Sequence, residues 1–190
     1  IKFLVTQLFA YIENENHNKT ANTSEYSKYN AVKALLTLDN PTVYTTLRDV
    51  GYIQLLSNML IEWKDGPHVA SVLESIDWSP DSPKEYVHFL VAKRNKAALL
   101  KNWAQTKEVL LSEILSTHIP RIAGALYSFI ALGKSEIIPD LIKLIDQRGN
   151  STMALTNLNC GHSELANAGR SWAHRNGYKV IPGVGSTEAK

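Results

Sequence analysis

The sequence has few of the features that mark disulfide-stabilised or membrane-spanning proteins. Its single cysteine excludes an intramolecular disulfide and agrees with a reducing compartment, so we predict a cytoplasmic protein. No run of residues approaches the roughly 18 apolar side chains that a membrane span requires. The 190 residues, of which 44% are hydrophobic and 20% charged, have the composition of one ordinary globular domain.

A strong excess of positive charge is also absent, although charge is distributed unevenly along the chain. The net charge is only +2; residues 1–92 carry 7 basic and 11 acidic side chains, whereas residues 93–190 carry 13 and 7. The densest basic cluster comprises Lys93, Arg94, Lys96 and Lys101. Since tight duplex binding uses about 6–10 phosphate contacts, we interpret this cluster as a solvated helix edge in preference to a nucleic-acid site.

Spacings typical of metal or catalytic sites are lacking as well. The segment LNCGHSELANAGRSWAHRNGY, residues 158–178, holds Cys160, His162 and His174. They lack the paired spacing of metal ligands, and a turn between two helices would not orient a histidine toward the thiol. We therefore interpret Cys160 as a small buried core residue and predict neither a metal nor a cofactor.

Other side chains that could carry chemistry are interpreted in the same way. Three carboxylates lie near apolar stretches without a pairing that suggests acid–base catalysis: Glu62, Glu74 and Asp140. The tryptophans would form a ligand cage only if they converged, so we expect them to pack in the core or beneath turns. They are Trp63, Trp78, Trp103 and Trp172.

Apolar residues recur at the helical spacing i, i+3, i+4, i+7 along most of the chain, and no alternating run indicates a β-hairpin. Pro67 suits the first turn of a helix, and Gly133 suits a left-handed helix end. The sequence Ser82-Pro83-Lys84-Glu85 matches a capping box. We predict an all-α chain.

Three regions are expected along this all-α chain. Residues 1–50 form N-terminal helices with a mobile polar loop at 13–24, residues 51–178 form helical repeats, and residues 179–190 form a flexible tail. Within the repeats, Leu111, Ile114 and Leu115 recur 30 positions later as Leu141, Leu144 and Ile145. The predicted helix pairs are 51–63 with 67–76, 107–117 with 119–132, and 136–147 with 150–158.

The stretch GALYSFIALGKSEIIPDLIKLI, residues 124–145, resembles HEAT repeats, particularly the phycobilin-lyase HEAT-like kind. The stretch WSPDSPKEYVHFLVAKRNKAALLKNW, residues 78–103, resembles the linker helix that is often inserted between such repeats. The resemblance implies a right-handed α-α superhelix, an armadillo-type solenoid of antiparallel helix pairs. It implies partner binding on the concave surface and does not imply lyase activity.

The concave surface of such a solenoid is lined by the second helix of each pair, here 67–76 and 119–132. Their polar residues outside the apolar stripes are His68, Ser71, Ser75, Arg121, Tyr127 and Ser128. Arg121 and Tyr127 are expected to contact the partner, because arginine and tyrosine are favoured interface anchors. His68 and Ser71 are expected further along the same groove, and Ser128 is also expected to take part in partner binding.

Two functions of different classes follow from these patterns. The favoured one is a non-enzymatic scaffold or module that binds a protein or peptide on the concave face. The alternative is a nucleic-acid-acting HEAT-like enzyme of the DNA glycosylase type, which would use the basic C-terminal half and the cluster from Lys93 to Lys101. A continuous basic groove on the concave face would favour this alternative.

Overall fold

The protein is described by a computed structural model that covers residues 1–15, 21–116, 118–181 and 186–189. Within these ranges the chain is almost entirely helical. The α-helices are α1 (Lys2–Glu15), α2 (Ala21–Leu36), α3 (Pro41–Asp49), α4 (Ile53–Met59), α5 (Gly66–Ser75), α6 (Pro83–Ala92), α7 (Lys96–Lys101), α8 (Trp103–Ile114), α9 (Ile119–Leu132), α10 (Ile138–Arg148), α11 (Ser151–Asn159) and α12 (Ser163–Arg175). A 3₁₀ turn, Ser135–Ile137, precedes α10, and two short strands, β1 (Tyr178–Ile181) and β2 (Ser186–Ala189), follow α12.

Local sequence signals explain several helix ends. The Ser82 hydroxyl accepts a hydrogen bond from the Glu85 amide at 3.1 Å, and the Glu85 carboxylate accepts one from the Asp81 amide at 2.9 Å. The Ser82 cap at the start of α6 is thereby confirmed, whereas the glutamate accepts from the amide of Asp81, one residue before the cap. Gly133 ends α9 at φ 69°, the left-handed conformation that glycine adopts at little cost.

The helices bury two main hydrophobic cores. The N-terminal core joins α1 to α5 through residues such as Val5, Val32, Leu47, Leu60 and Leu73. The second core joins α6 to α12, with Val87, Leu110, Ile122, Phe129 and Leu165 among its members. Leu60 belongs to the first core and its neighbour Ile61 to the second, so the segment that follows α4 takes part in both.

The segments predicted as helix pairs contain the helices α4 and α5, α8 and α9, and α10 and α11. Helix α9 packs against α8 and α11, and α12 packs against α10 and α11. The segment resembling an inserted linker is built into the fold, because α6 contacts α4, α5, α7 and α8. The right-handed superhelix stays a prediction.

Two expectations need correction. Residues 13–15 belong to α1 and residues 21–24 to α2, so these parts of the expected loop 13–24 are helical, and its residues 16–20 lie outside the described residues. The described part of the tail forms an antiparallel pair in which Tyr178 lies opposite Ala189. The Tyr178 ring stacks on Trp172 with centroids 5.6 Å apart, so packing on α12 supports a hairpin that the sequence did not reveal.

Candidate partner-binding surface

Helix α9 approaches the segment after α4 unusually closely at Gly124. A Cβ atom at Gly124 would lie 1.8 Å from the carbonyl oxygen of Ile61 and 3.2 Å from the amide nitrogen of Trp63. Only glycine permits this approach, because any side chain would overlap the backbone of residues 61–63. The contact fixes the position of residues 61–63 along the side of α9 that carries Arg121, Gly124 and Tyr127, three residues apart.

An aromatic and cationic surface lies beside this contact. The rings of Trp63 and Tyr127 are 5.7 Å apart and inclined by 46°, and both side chains are half-buried. The guanidinium of Arg94, which follows α6, lies 5.3 Å from the centre of the Trp63 ring. Lys64 is exposed next to Trp63. We call Trp63, Lys64, Arg94 and Tyr127 the Trp63 surface.

The backbone of Arg94 is unusual for a residue with a side chain. Its φ is 52°, a left-handed conformation at a helix end where glycine or asparagine is normally found. Asp39 and Asp77 are the other non-glycine residues with positive φ in the described part of the chain. The short side chain of aspartate tolerates this conformation better than that of arginine, so the conformation of Arg94 is the most costly of the three.

A buried glutamate lies beneath the surface at Glu62. Its side chain is 3% exposed, and one carboxylate oxygen accepts a hydrogen bond of 2.6 Å from the Tyr29 hydroxyl. Lys33 forms an ion pair with Asp65 nearby, and the Tyr29 ring meets His118 edge-on at 4.9 Å. Burial raises the pKa of Glu62 to about 7, although the Tyr29 hydrogen bond and the charge of Lys33 act in the opposite direction.

A second buried carboxylate, Glu113 on α8, ties three helices together. One of its oxygens lies 2.7 Å from the Lys84 ammonium and 3.2 Å from Nε2 of His88, both on α6. The other accepts from Nε and Nη2 of Arg121 on α9 at 2.6 and 2.5 Å. Burial alone would raise the pKa of Glu113, but the contacts with His88, Lys84 and Arg121 together lower it to about 2.

The predicted partner-binding residues do not lie together on one exposed surface. Tyr127 belongs to the Trp63 surface. Arg121 is only 22% exposed and is bound to Glu113, so its guanidinium acts within the fold. Ser128 was expected in the groove, but it is buried and its hydroxyl donates to the Gly124 carbonyl at 2.7 Å, as expected of a serine that faces a packed helix.

His68 and Ser71 on α5 are exposed, but both contact the backbone nearby. The His68 ring lies 3.3 Å from the carbonyl oxygen of Leu36, and the Ser71 hydroxyl donates to the Pro67 carbonyl at 3.2 Å. These contacts do not join them to the Trp63 surface.

Three of the four side chains of the basic cluster make contacts within the fold. Lys93 forms an ion pair of 3.0 Å with Glu74, and the Lys96 ammonium donates to the Ala131 carbonyl at 3.3 Å, near the end of α9. The Arg94 guanidinium lies over the Trp63 ring, and Lys101 is exposed at the end of α7. The cluster therefore does not present four parallel charges to a phosphate backbone, and these contacts give no support to the nucleic-acid alternative.

Cys160 has the surroundings of a structural cysteine. It is buried, its thiol donates to the Asn157 carbonyl at 3.0 Å, and burial raises the pKa of the thiol. No group of three potential metal ligands occurs among the residues that the structure describes. The other carboxylates considered above are paired on the surface, Glu74 with Lys93 and Asp140 with Lys107 at 2.7 Å.

Sequence reasoning missed Glu113 and His88, although a signal for both was present. Glu113 follows Leu110 by three residues and precedes Ile114, so it lies on the apolar face of α8. His88 lies between the buried residues Val87 and Leu90 on α6. Polar side chains in such positions require partners, which makes them candidates for a buried ion pair.

Comparison with known proteins identifies no relative. The chain matches no protein-family model, and searches of curated proteins and of solved structures found no similar protein. None of the described helices is both long enough and apolar enough to cross a bilayer. The site must therefore be interpreted from its own geometry.

The position of Glu62 predicts a pH dependence of stability. Its pKa is about 7 in the folded protein and 4.5 without the effect of the fold. The folded state therefore holds the proton of Glu62 more tightly than the unfolded state does. The resulting contribution to the stability of the fold is complete below pH 4.5 and is lost as the pH rises through about 7. The glutamine in the Glu62→Gln variant is neutral at every pH. We therefore expect the free energy of unfolding of this variant, relative to that of the original protein, to rise by about 3 kcal/mol between pH 4.5 and about 7.

Urea denaturation of both proteins at a series of pH values measures this difference. Glu74→Gln is a matched control, because Glu74 is an exposed glutamate paired with Lys93. Its relative stability should vary far less with pH. Parallel stability curves for Glu62→Gln and the original protein would show that the fold does not raise the pKa of Glu62.

Proposed function

We propose that this chain is a non-enzymatic helical module that binds a protein or peptide through the Trp63 surface. The observation that carries the proposal is the convergence of Trp63, Tyr127 and Arg94, which come from three different parts of the fold. Tryptophan, tyrosine and arginine are the side chains that contribute most to the energy of protein interfaces, because each combines large contact area with hydrogen bonding.

The conformation of Arg94 supports this proposal independently. A non-glycine residue held at positive φ costs on the order of 1 kcal/mol, and such residues cluster at functional sites. Glycine at this position would remove the cost and also the guanidinium that lies over Trp63. The presence of arginine at this position is explained if the guanidinium contacts a ligand at the Trp63 surface.

Contacts beneath the Trp63 surface hold its backbone in place, as a preorganised binding site requires. Gly124 holds residues 61–63 against α9, and the ion pair between Arg121 and Glu113 fixes α9 relative to α8. A rigid surface loses little conformational entropy on binding. The HEAT-like solenoid, with α9 as a second helix on its concave side, is the architecture that we propose for this module.

Selection from a random peptide library displayed on phage tests the proposal. Enriched peptides are then titrated by fluorescence anisotropy against the original protein, Arg94→Gly and Asp77→Gly. Arg94→Gly should weaken binding by at least roughly thirtyfold, the loss typical of an interface anchor. Its stability should change by no more than about 1 kcal/mol, because relief at positive φ offsets the lost contact with Trp63.

Asp77→Gly makes the same backbone change at the end of α5 and is the matched control. It should bind the peptides as the original protein does. Equal affinity of all three proteins would place the binding surface elsewhere on the fold, and failure to enrich any peptide would contradict peptide binding itself.

A further inference from the structure

The charges around the Trp63 surface are not balanced within the fold. No carboxylate among the side chains that the structure describes lies within ion-pair distance of Arg94 or Lys64. By contrast, Lys33 is paired with Asp65, Lys93 with Glu74, and Arg121 with Glu113. The charges that remain available at the surface are therefore positive.

The two buried carboxylates of this region, Glu113 and Glu62, are engaged within the fold. Glu113 is 1% exposed and is already engaged by Lys84, His88 and Arg121. Glu62 is 3% exposed, and its carboxylate is directed toward Tyr29 beneath the surface. An approaching ligand therefore meets aromatic rings and unpaired cations.

The geometry of Arg94 also favours a particular ligand group. The Arg94 guanidinium lies over the Trp63 indole without a carboxylate partner among the described side chains, so its N–H groups remain available to a ligand. A carboxylate can accept two of these N–H groups at once, which is a stronger and more specific contact than a lysine makes. The adjoining faces of Trp63 and Tyr127 suit an apolar side chain.

We propose that the Trp63 surface binds an acidic peptide segment, in which an aspartate or glutamate meets the guanidinium of Arg94 and a neighbouring apolar side chain packs on Trp63 and Tyr127. This inference rests on the proposed function, since it specifies the ligand of the same surface. Charge complementarity selects the acidic segment over a basic or neutral one.

Synthetic peptides on an array test the inference. Three series share the same varied apolar residues and differ only in a central glutamate, glutamine or lysine. The glutamate series should bind roughly tenfold more tightly than the glutamine series, with the lysine series weakest. The preference should shrink as the salt concentration rises, because both charges of the contact are partly exposed.

A charge-reversal variant shows whether Arg94 is responsible. Arg94→Glu keeps a side chain at the same positive φ and should reverse the ranking of the glutamate and lysine series. Arg170→Glu changes the net charge equally at an exposed position on α12 and is the matched control. It should leave the ranking unchanged.

The outcomes separate the two proposals. Binding of the three series with equal affinity would overturn the acidic ligand and leave peptide binding intact. An equal effect of Arg170→Glu would attribute the preference to net charge and would also overturn it. Absence of binding in every series would overturn the proposed function together with this inference.

Discussion

Glu113→Gln is expected to destabilise the fold by about 3–5 kcal/mol at neutral pH. The substitution keeps the shape of the side chain but removes the negative charge that Lys84, His88 and Arg121 share. Removing the buried negative partner leaves the guanidinium of Arg121, whose side chain is only 22% exposed, without its counter-charge. Because Glu113 joins α6, α8 and α9, the loss would loosen the second core.

The pH dependence of Glu113→Gln should be opposite to that of Glu62→Gln. The pKa of Glu113 is about 2 in the fold and 4.5 without its effect. Its stabilising contribution, about 3 kcal/mol, is therefore present above pH 4.5 and is lost as the pH falls through about 2. The difference in free energy of unfolding between Glu113→Gln and the original protein should therefore shrink as the pH falls from 4.5 to about 2.

Glu108→Gln is the matched control, since Glu108 is an exposed glutamate on the same helix. It should change stability by less than about 0.5 kcal/mol, as surface substitutions usually do. A loss below about 1 kcal/mol for Glu113→Gln, or a loss independent of pH, would contradict the role given to this ion pair.

Gly124→Ala is expected to destabilise the protein by at least about 3 kcal/mol and to prevent folding if the reserve of stability is small. Alanine would normally favour a helix interior by about 1 kcal/mol over glycine. Here its methyl group would lie 1.8 Å from the Ile61 carbonyl oxygen, which is backbone and cannot turn aside. Steric overlap therefore outweighs helix propensity.

Thermal denaturation followed by circular dichroism measures the effect. Gly51→Ala is a useful comparison, because Gly51 has φ 85° with no atom near its absent Cβ. That variant reports backbone strain alone, on the order of 1 kcal/mol. A Gly124→Ala protein as stable as the original would show that α9 does not approach residues 61–63 as closely as described.

Sequence reasoning succeeded where structure is decided by neighbouring residues. The start of α6 at Pro83 and the end of α9 at Gly133 follow from capping and backbone preferences that act over a few positions. The all-α class follows from helical periodicity. The β1–β2 hairpin escaped detection because its strands have four residues each and depend on packing against Trp172.

The candidate site depended on contacts between distant parts of the chain, which one sequence does not reveal. Trp63, Arg94 and Tyr127 span more than sixty positions, and only the fold brings them together. Tyr127 was predicted at the surface because tyrosine commonly anchors interfaces. Arg121 was assigned the same role for the same kind of reason, but a buried carboxylate 8 residues earlier engages it.

The position of Leu60 and Ile61 bears on how the protein unfolds. The two residues are joined by one peptide bond and yet are fully buried in different cores. In arrays of helix pairs, neighbouring units often lose structure separately, because each touches only the next. Here the segment at 60–63 packs in both cores. Displacing it from the N-terminal core would also pull Ile61 out of the second core, and the reverse holds for Leu60. We therefore expect the two cores to unfold as one cooperative unit.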